Sequence, residues 1–167
     1  MNYLEDIYKL SYVTRYSGIP RIREETVAEH CFYVSAIVLG LHDVYDFNLG
    51  TALQIAVSHD LPELELNDCP HPIKYKYIEI KKAYDMCEAR VLRELPKSVQ
   101  KGVKLYDAKS TVESWVVHYA DILQCEHYAQ LEVNMGNKGY FQDILDKSIE
   151  RKLVYLDKLE RYRYERS

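Results

Sequence analysis

Apolar residues along this chain recur every three or four positions rather than every second one, which is the period of a helix face and not of a strand. The clearest case is Val27, Cys31, Val34, Ile37, Val38 and Leu41. This spacing predicts a helix over 27–42, with Thr26 as its N-cap and Glu29 closing a capping box. Other helices are predicted over 2–12, from Asn48 or Thr51 to near Leu66, and over 73–94, 97–105, 110–134 and 140–165. Residues 13–24, with Gly18 and Pro20, read as a loop. Pro70 and Pro72 interrupt the chain after Leu66. The stretch "NMGNKG" stops the long apolar helix around Trp115, Ala120, Ile122 and Leu123. Strand signals are sparse, because no hairpin dipeptide separates two alternating runs. The expectation is an all-α helical bundle, folded as a single domain over 1–167.

Polar residues break the apolar faces at particular places. In "AVSHDLPELELNDCPHP" the pair His59-Asp60 sits in an otherwise apolar helical run. His30 lies inside "VAEHCFYVSAIV", and Asp121 inside "VVHYADILQCEHYAQLE". A buried carboxylate without a partner is costly. One divalent cation offsets that cost for Asp60 and Asp121 together, and the neutral imidazoles of His30 and His59 complete its ligand shell. Two histidines and two carboxylates, with positions left for water, suit a catalytic rather than a structural centre. Taken singly, each residue also reads as a hydrogen-bonded polar group in a core; only the joint pattern favours a metal. A second pair, His42-Asp43, stands at a predicted helix end, where both residue types are ordinary. His118 reads as a core histidine or as a partner behind a metal ligand.

Composition narrows the class. The net charge of −4 argues against a nucleic-acid polymer as partner. No run of 18 apolar residues is present and the N-terminus lacks an apolar core, so neither a membrane span nor a signal peptide is expected. A cytoplasmic location is the expectation. The four cysteines, Cys31, Cys69, Cys87 and Cys125, form no C-x-x-C pair and read as reduced thiols. Basic clusters at Arg15, Arg21 and Arg23, and at Lys74, Lys76, Lys81 and Lys82, suit a small anionic ligand or a solvated surface equally well.

The order His30, His59-Asp60, Asp121 resembles the HD-domain metal-dependent phosphohydrolases. The segments "RYSGIPRIREETVAEH", "HDLPELELNDCPHPIKY" and "YADILQCEHYAQLE" resemble the bacterial 5'-deoxynucleotidase branch and its small phage relatives, some of which remove triphosphate from a purine deoxynucleotide. The resemblance runs from about residue 4 to about residue 160. It implies a single HD domain and one divalent transition ion (Co, Mn, Zn, Fe or Ni) held by His30, His59, Asp60 and Asp121. It also implies a nucleotide substrate and a homodimer or higher homo-oligomer. Ile144, Leu145, Ile149, Leu153, Leu156 and Leu159 form a stripe suited either to such an interface or to packing within the chain.

The same resemblance assigns further residues. Glu63, three positions after Asp60 and on its face if the helix continues, is the general acid/base. Arg15 offers its guanidinium to phosphate, and Arg23 and Lys74 add positive potential. Asp68 bonds the sugar 3'-hydroxyl; the competing reading is a turn residue bonded to its own backbone. Tyr16 stands where the deoxynucleotidases carry tryptophan, so with Gly18 it bears on base and sugar preference. Pro72 forms the opposite wall of the pocket. The expected function is 5'-deoxynucleotidase. The alternatives are a small phage-type dATP triphosphohydrolase and, in another class, a non-catalytic nucleotide-binding HD module.

Overall fold

A computed structural model of the chain describes residues 3–68 and 76–165. Pro72 and Lys74 lie outside the described residues. Within them the chain is helical, and the one β pairing is a bridge between Thr14 and Thr26. The helices are α1 (Tyr3–Ile7), followed by a 3-10 turn Tyr8–Ser11, then α2 (Val27–Leu41), α3 (Leu49–Ser58), α4 (Glu63–Leu66), α5 (Ile78–Glu94), α6 (Lys97–Ala108), α7 (Val112–Asn134) and α8 (Lys138–Tyr164). The all-α expectation holds.

The start of α2 follows the sequence reading. Thr26 is extended and its side chain accepts from the Glu29 N–H, while the Glu29 carboxylate accepts from the Thr26 N–H at 2.8 Å. Asn48 caps α3 in the same manner.

Apart from shifts of one or two residues, four boundaries differ from expectation. The helix expected from 73 begins at Ile78, residues 73–75 lying outside the described residues. The first helix gives way to a 3-10 turn after Ile7. The helix expected to reach Leu66 ends at Ser58. Pro62 has no N–H to offer the Ser58 carbonyl, which instead accepts from Leu61 at 3.1 Å, and Glu63 N–H bonds the Asp60 carbonyl at 3.0 Å. These tighter bonds turn the chain at His59–Pro62 before α4 begins. Finally, α6 runs to Ala108 rather than 105, which puts Tyr106 on the helix. It stops at Lys109, whose φ of 51° is left-handed.

Packing explains where the polar residues lie. One apolar core joins Val34, Val38, Ala52, Ile55, Val116, Ala120 and Leu159, from α2, α3, α7 and α8. A second joins Leu10, Val13, Val27, Leu61, Leu64, Val99 and Val103. Each fully buried aliphatic side chain contributes roughly 1.5–3 kcal/mol. On α2 the change from one core to the other falls between Val27 and Val34, where His30 sits. Along the chain it falls between Ala56 and Leu61, where His59 and Asp60 sit. A third core, Tyr128, Ala129, Phe141 and Leu145, lies further along α7 and against α8. The polar centre therefore occupies a seam between apolar cores.

The α3–α6 crossing is close. A methyl group at Gly102 would lie 1.9 Å from Ser58 Oγ and 2.8 Å from the Gln54 carbonyl. Only glycine permits this approach, one residue from His59 and one turn from Tyr106.

Candidate metal centre

The four residues picked out by pattern meet in space. His30 Nε2 lies 3.2 Å from Asp121 Oδ1 and 3.5 Å from Asp60 Oδ2. His59 Nε2 lies 3.4 Å from Asp60 Oδ2 and 3.3 Å from His30 Nε2. Ligand atoms about 2.1 Å from a shared ion stand about 3.0 Å apart at right angles and about 3.4 Å apart in a tetrahedron. The spacings of 3.2–3.5 Å lie around the tetrahedral figure; His30, His59 and Asp121 form one group able to hold a divalent ion, and Asp60 borders it through His30 and His59.

The ring nitrogens support the same fit. His59 Nδ1–H donates to the Ala56 carbonyl at 2.8 Å, which leaves the Nε2 lone pair pointing at the cluster. The side chains of His30 and His59 are 0% and 1% exposed, while Asp121 is 16% and Asp60 24% exposed. The centre is thus closed on its imidazole side and opens towards solvent past the carboxylates.

Behind the carboxylates stand groups that the pattern did not reveal. Tyr106 donates its hydroxyl to Asp121 Oδ2 at 2.7 Å, leaving Oδ1 facing His30. Burial, and then the charges of Asp121 and Asp60, push the Tyr106 hydroxyl well above its ordinary pKa, so it stays a donor. Burial pushes the Asp121 carboxyl up, but the groups around it, His30, His59 and Arg15, outweigh that and hold it well below the usual range. His118 stacks on Tyr106 at 3.8 Å and its Nε2 bonds the Tyr106 carbonyl at 2.9 Å. Burial lowers its pKa to about 4. It supports Tyr106 and does not touch the cluster atoms themselves.

Arg15 lies directly behind His30. Its Nη1 donates to Glu25 Oε2 at 3.1 Å and to Gln124 Oε1 at 2.9 Å, and its Nη2 to Cys125 Sγ at 3.3 Å. Burial works against the charge, and the anionic groups around it outweigh burial and keep it fixed. Cys31, beside His30, forms a further group of possible ligands with His59 and Asp60. Burial, with the charges of Asp60 and Glu63, holds its thiol well above the ordinary range.

The remaining sequence candidates are spread more widely. Glu63 begins α4, one tight turn after Asp60. Asp68 Oδ2 accepts from the Tyr16 N–H at 3.0 Å, so Asp68 holds the Arg15-Tyr16 segment rather than its own turn. Tyr16 has a left-handed φ of 56° and stacks on Tyr128 with ring centroids 5.2 Å apart. One face of its ring is therefore covered. Gly18 is exposed on the same loop. Arg23 turns outward towards Tyr33 and Glu29. Glu132, buried on α7, accepts from the backbone N–H groups of Ile22 and Arg23 at 2.9 and 2.7 Å and anchors that loop. His42 caps α2 and packs against Phe47, remote in role from the cluster.

Two imidazoles and two carboxylates thus meet, in this chain order, on an all-α scaffold. Residues 2–164 match the YfbR-like 5'-deoxynucleotidases, and the chain belongs to that family. A 5'-deoxynucleotidase of Pasteurella multocida is 30% identical over 145 residues, spanning 79% of this chain and 74% of the relative. The dATP triphosphohydrolase of Salmonella phage PMBT28 is 25% identical over 152 residues, spanning 82% and 75%. The crystal structure of an HD-domain phosphohydrolase from Listeria innocua superposes with a TM-score of 0.76, at 23% identity, over 93% of this chain and 80% of that one.

Proposed function

We propose that the protein, a single HD domain over 1–167, is a metal-dependent phosphohydrolase of deoxynucleotides, and specifically a 5'-deoxynucleotidase. It releases phosphate from a deoxynucleoside monophosphate. The observation that carries this reading is the approach of the His30, His59, Asp60 and Asp121 donor atoms to within 3.2–3.5 Å of their neighbours in the cluster. These four residues hold one divalent transition ion, drawn from Co, Mn, Zn, Fe and Ni according to supply. When bound, the ion polarises a phosphoryl oxygen and acidifies water.

The chain's own groups do the rest. Glu63 takes the proton from the attacking water and returns one to the leaving 5'-oxygen. Arg15, held rigid behind His30, adds a fixed positive potential that favours the negative charge gained by equatorial phosphoryl oxygens. Asp68 accepts from the sugar 3'-hydroxyl and at the same time fixes Tyr16. Tyr16 and Gly18 border the sugar and base, Pro72 faces them, and Arg23 and Lys74 supply outer positive potential. The protein works in the cytoplasm as a homodimer or higher homo-oligomer. The exposure of Ile149 and Leu153 on α8 supports an interface there, although Leu145 and Leu159 of the same stripe are buried within the chain.

A second reading is a triphosphohydrolase of dATP, favoured by the phage relative. Incubation with dAMP and with dATP in the presence of Mn or Co, with identification of the phosphorus product, separates the two. Inorganic phosphate from dAMP supports the first reading and tripolyphosphate from dATP the second. Tight nucleotide binding with no turnover under any divalent ion contradicts both and indicates a non-catalytic module. Among the described residues, no helix is long and apolar enough to cross a membrane.

A further inference from the structure

We infer that Gln124 and Glu25 act as a positioning pair that fixes which ring nitrogen of His30 carries its hydrogen, and so presents the His30 Nε2 lone pair to the centre. This inference rests on the reading of that centre as a metal site.

Gln124 lies three residues after Asp121 on α7, so it shares that helix face. It is buried, as is Glu25, which immediately precedes the Thr26 cap of α2. The Gln124 Nε2 donates to Glu25 Oε1 at 2.5 Å. A carboxylate only accepts, so this contact turns the amide oxygen the other way. There Gln124 Oε1 meets His30 Nδ1 at 2.7 Å and Arg15 Nη1 at 2.9 Å.

A count of hydrogens settles the roles. Arg15 Nη1 also lies 2.5 Å from His30 Nδ1, so two arrangements compete. In one, Nδ1 accepts from Arg15 and the His30 hydrogen sits on Nε2, where it blocks a metal bond. In the other, Nδ1 carries the hydrogen. Nη1 has two hydrogens, which Glu25 Oε2 at 3.1 Å and Gln124 Oε1 at 2.9 Å accept, and the Gln124 oxygen 2.7 Å from Nδ1 can only accept, so it calls for a hydrogen on Nδ1. The amide oxygen has two lone pairs, one for Arg15 and one for His30 Nδ1–H. Both Nη1 hydrogens and both lone pairs of the amide oxygen are then used, and Nε2 faces Asp121 Oδ1 and Asp60 Oδ2 as the one lone pair left for an ion. Backbone pairing keeps Glu25 in place, because Arg15 N–H bonds the Glu25 carbonyl at 2.9 Å and Val27 N–H the Val13 carbonyl at 2.9 Å. Removing a group that orients a ligating histidine commonly weakens metal binding 10–100-fold.

The test uses the full-length protein and two variants, Gln124→Leu and the exchanged pair E25Q/Q124E. In the exchange the bond between 25 and 124 reverses, with the residue at 25 now donating and the residue at 124 accepting, while total charge and an acceptor oxygen facing His30 Nδ1 are kept. Nitrogen-15 NMR of the metal-free protein reads the His30 tautomer, and calorimetry with Mn2+ reads affinity. The expected result is an Nδ1–H His30 in the wild type and in E25Q/Q124E, with Mn2+ affinities within a few-fold. In Gln124→Leu the hydrogen moves to Nε2 and affinity falls about 10–100-fold. An unchanged tautomer and affinity in Gln124→Leu overturns the inference, as does an exchanged pair no better than Gln124→Leu. A wild type that binds no divalent ion contradicts the metal site itself, and the tautomer comparison still decides the role of Gln124.

Discussion

The hydroxyl of Tyr106 donates to Asp121 Oδ2 at 2.7 Å, and through this one bond α6 dictates how a carboxylate on α7 faces the histidines. With Oδ2 occupied, Asp121 offers Oδ1 as a single ligand atom. Tyr106→Phe keeps the ring stacked on His118 but leaves Oδ2 without its partner, a loss of about 1–3 kcal/mol. Titration of Tyr106→Phe with Mn2+ is expected to show affinity reduced about tenfold or more. Affinity equal to wild type contradicts a role for this bond in shaping the centre.

Gly102 is expected to tolerate no side chain. In Gly102→Ala the new methyl group meets Ser58 Oγ and the Gln54 carbonyl, and the latter is backbone that cannot swing aside. Separating α3 from α6 is predicted to cost about 1–3 kcal/mol. It should also loosen His59 and Tyr106, which flank the crossing. Urea unfolding measures the first effect, and a midpoint equal to wild type contradicts the close-approach argument.

Stability should fall in acid partly through His118. Burial lowers its pKa to about 4, whereas the unfolded chain protonates it near 6.5. Between these values the unfolded state binds more protons, so stability rises with pH and is lost as pH falls from about 6.5 through about 4. The contribution is on the order of 3 kcal/mol at most. His118→Asn, which does not titrate, should show a shallower loss over this window in urea unfolding at stepped pH. Parallel curves for the two proteins contradict the assignment.

Glu63→Gln separates chemistry from metal binding. The amide cannot exchange the proton but keeps the shape of the side chain. Turnover of dAMP is predicted to fall about 10²–10⁴-fold, with bound metal unchanged. A variant that loses its metal along with its activity places Glu63 among the ligands instead.

Much of this centre is legible in the sequence. Thr26 and Glu29 marked the start of α2 because a capping box is a local device. His30, His59-Asp60 and Asp121 stood out because each interrupts an apolar face, and their order matched a known family. The groups behind them were not legible. Gln124 and Glu25 meet across 99 positions, and neither looks unusual among its neighbours. Tyr106 is one of sixteen tyrosines, and it lay just beyond the expected end of its helix. The turn at His59 is not legible in the pattern, because Pro62 acts on the Ser58 carbonyl four residues earlier while the apolar run points to the later prolines. Local signals gave the elements; contacts between distant segments gave the support around the ligands.

The central claim is that four side chains hold one ion, and metal analysis tests it most directly. Protein loaded with Mn2+ or Co2+ and dialysed free of excess is expected to retain about one ion per chain, since the donor set closes around a single point. His59→Ala and Asp121→Ala should retain far less while still folding. A wild type that retains no ion, or a His59→Ala variant that retains as much as wild type, contradicts the account.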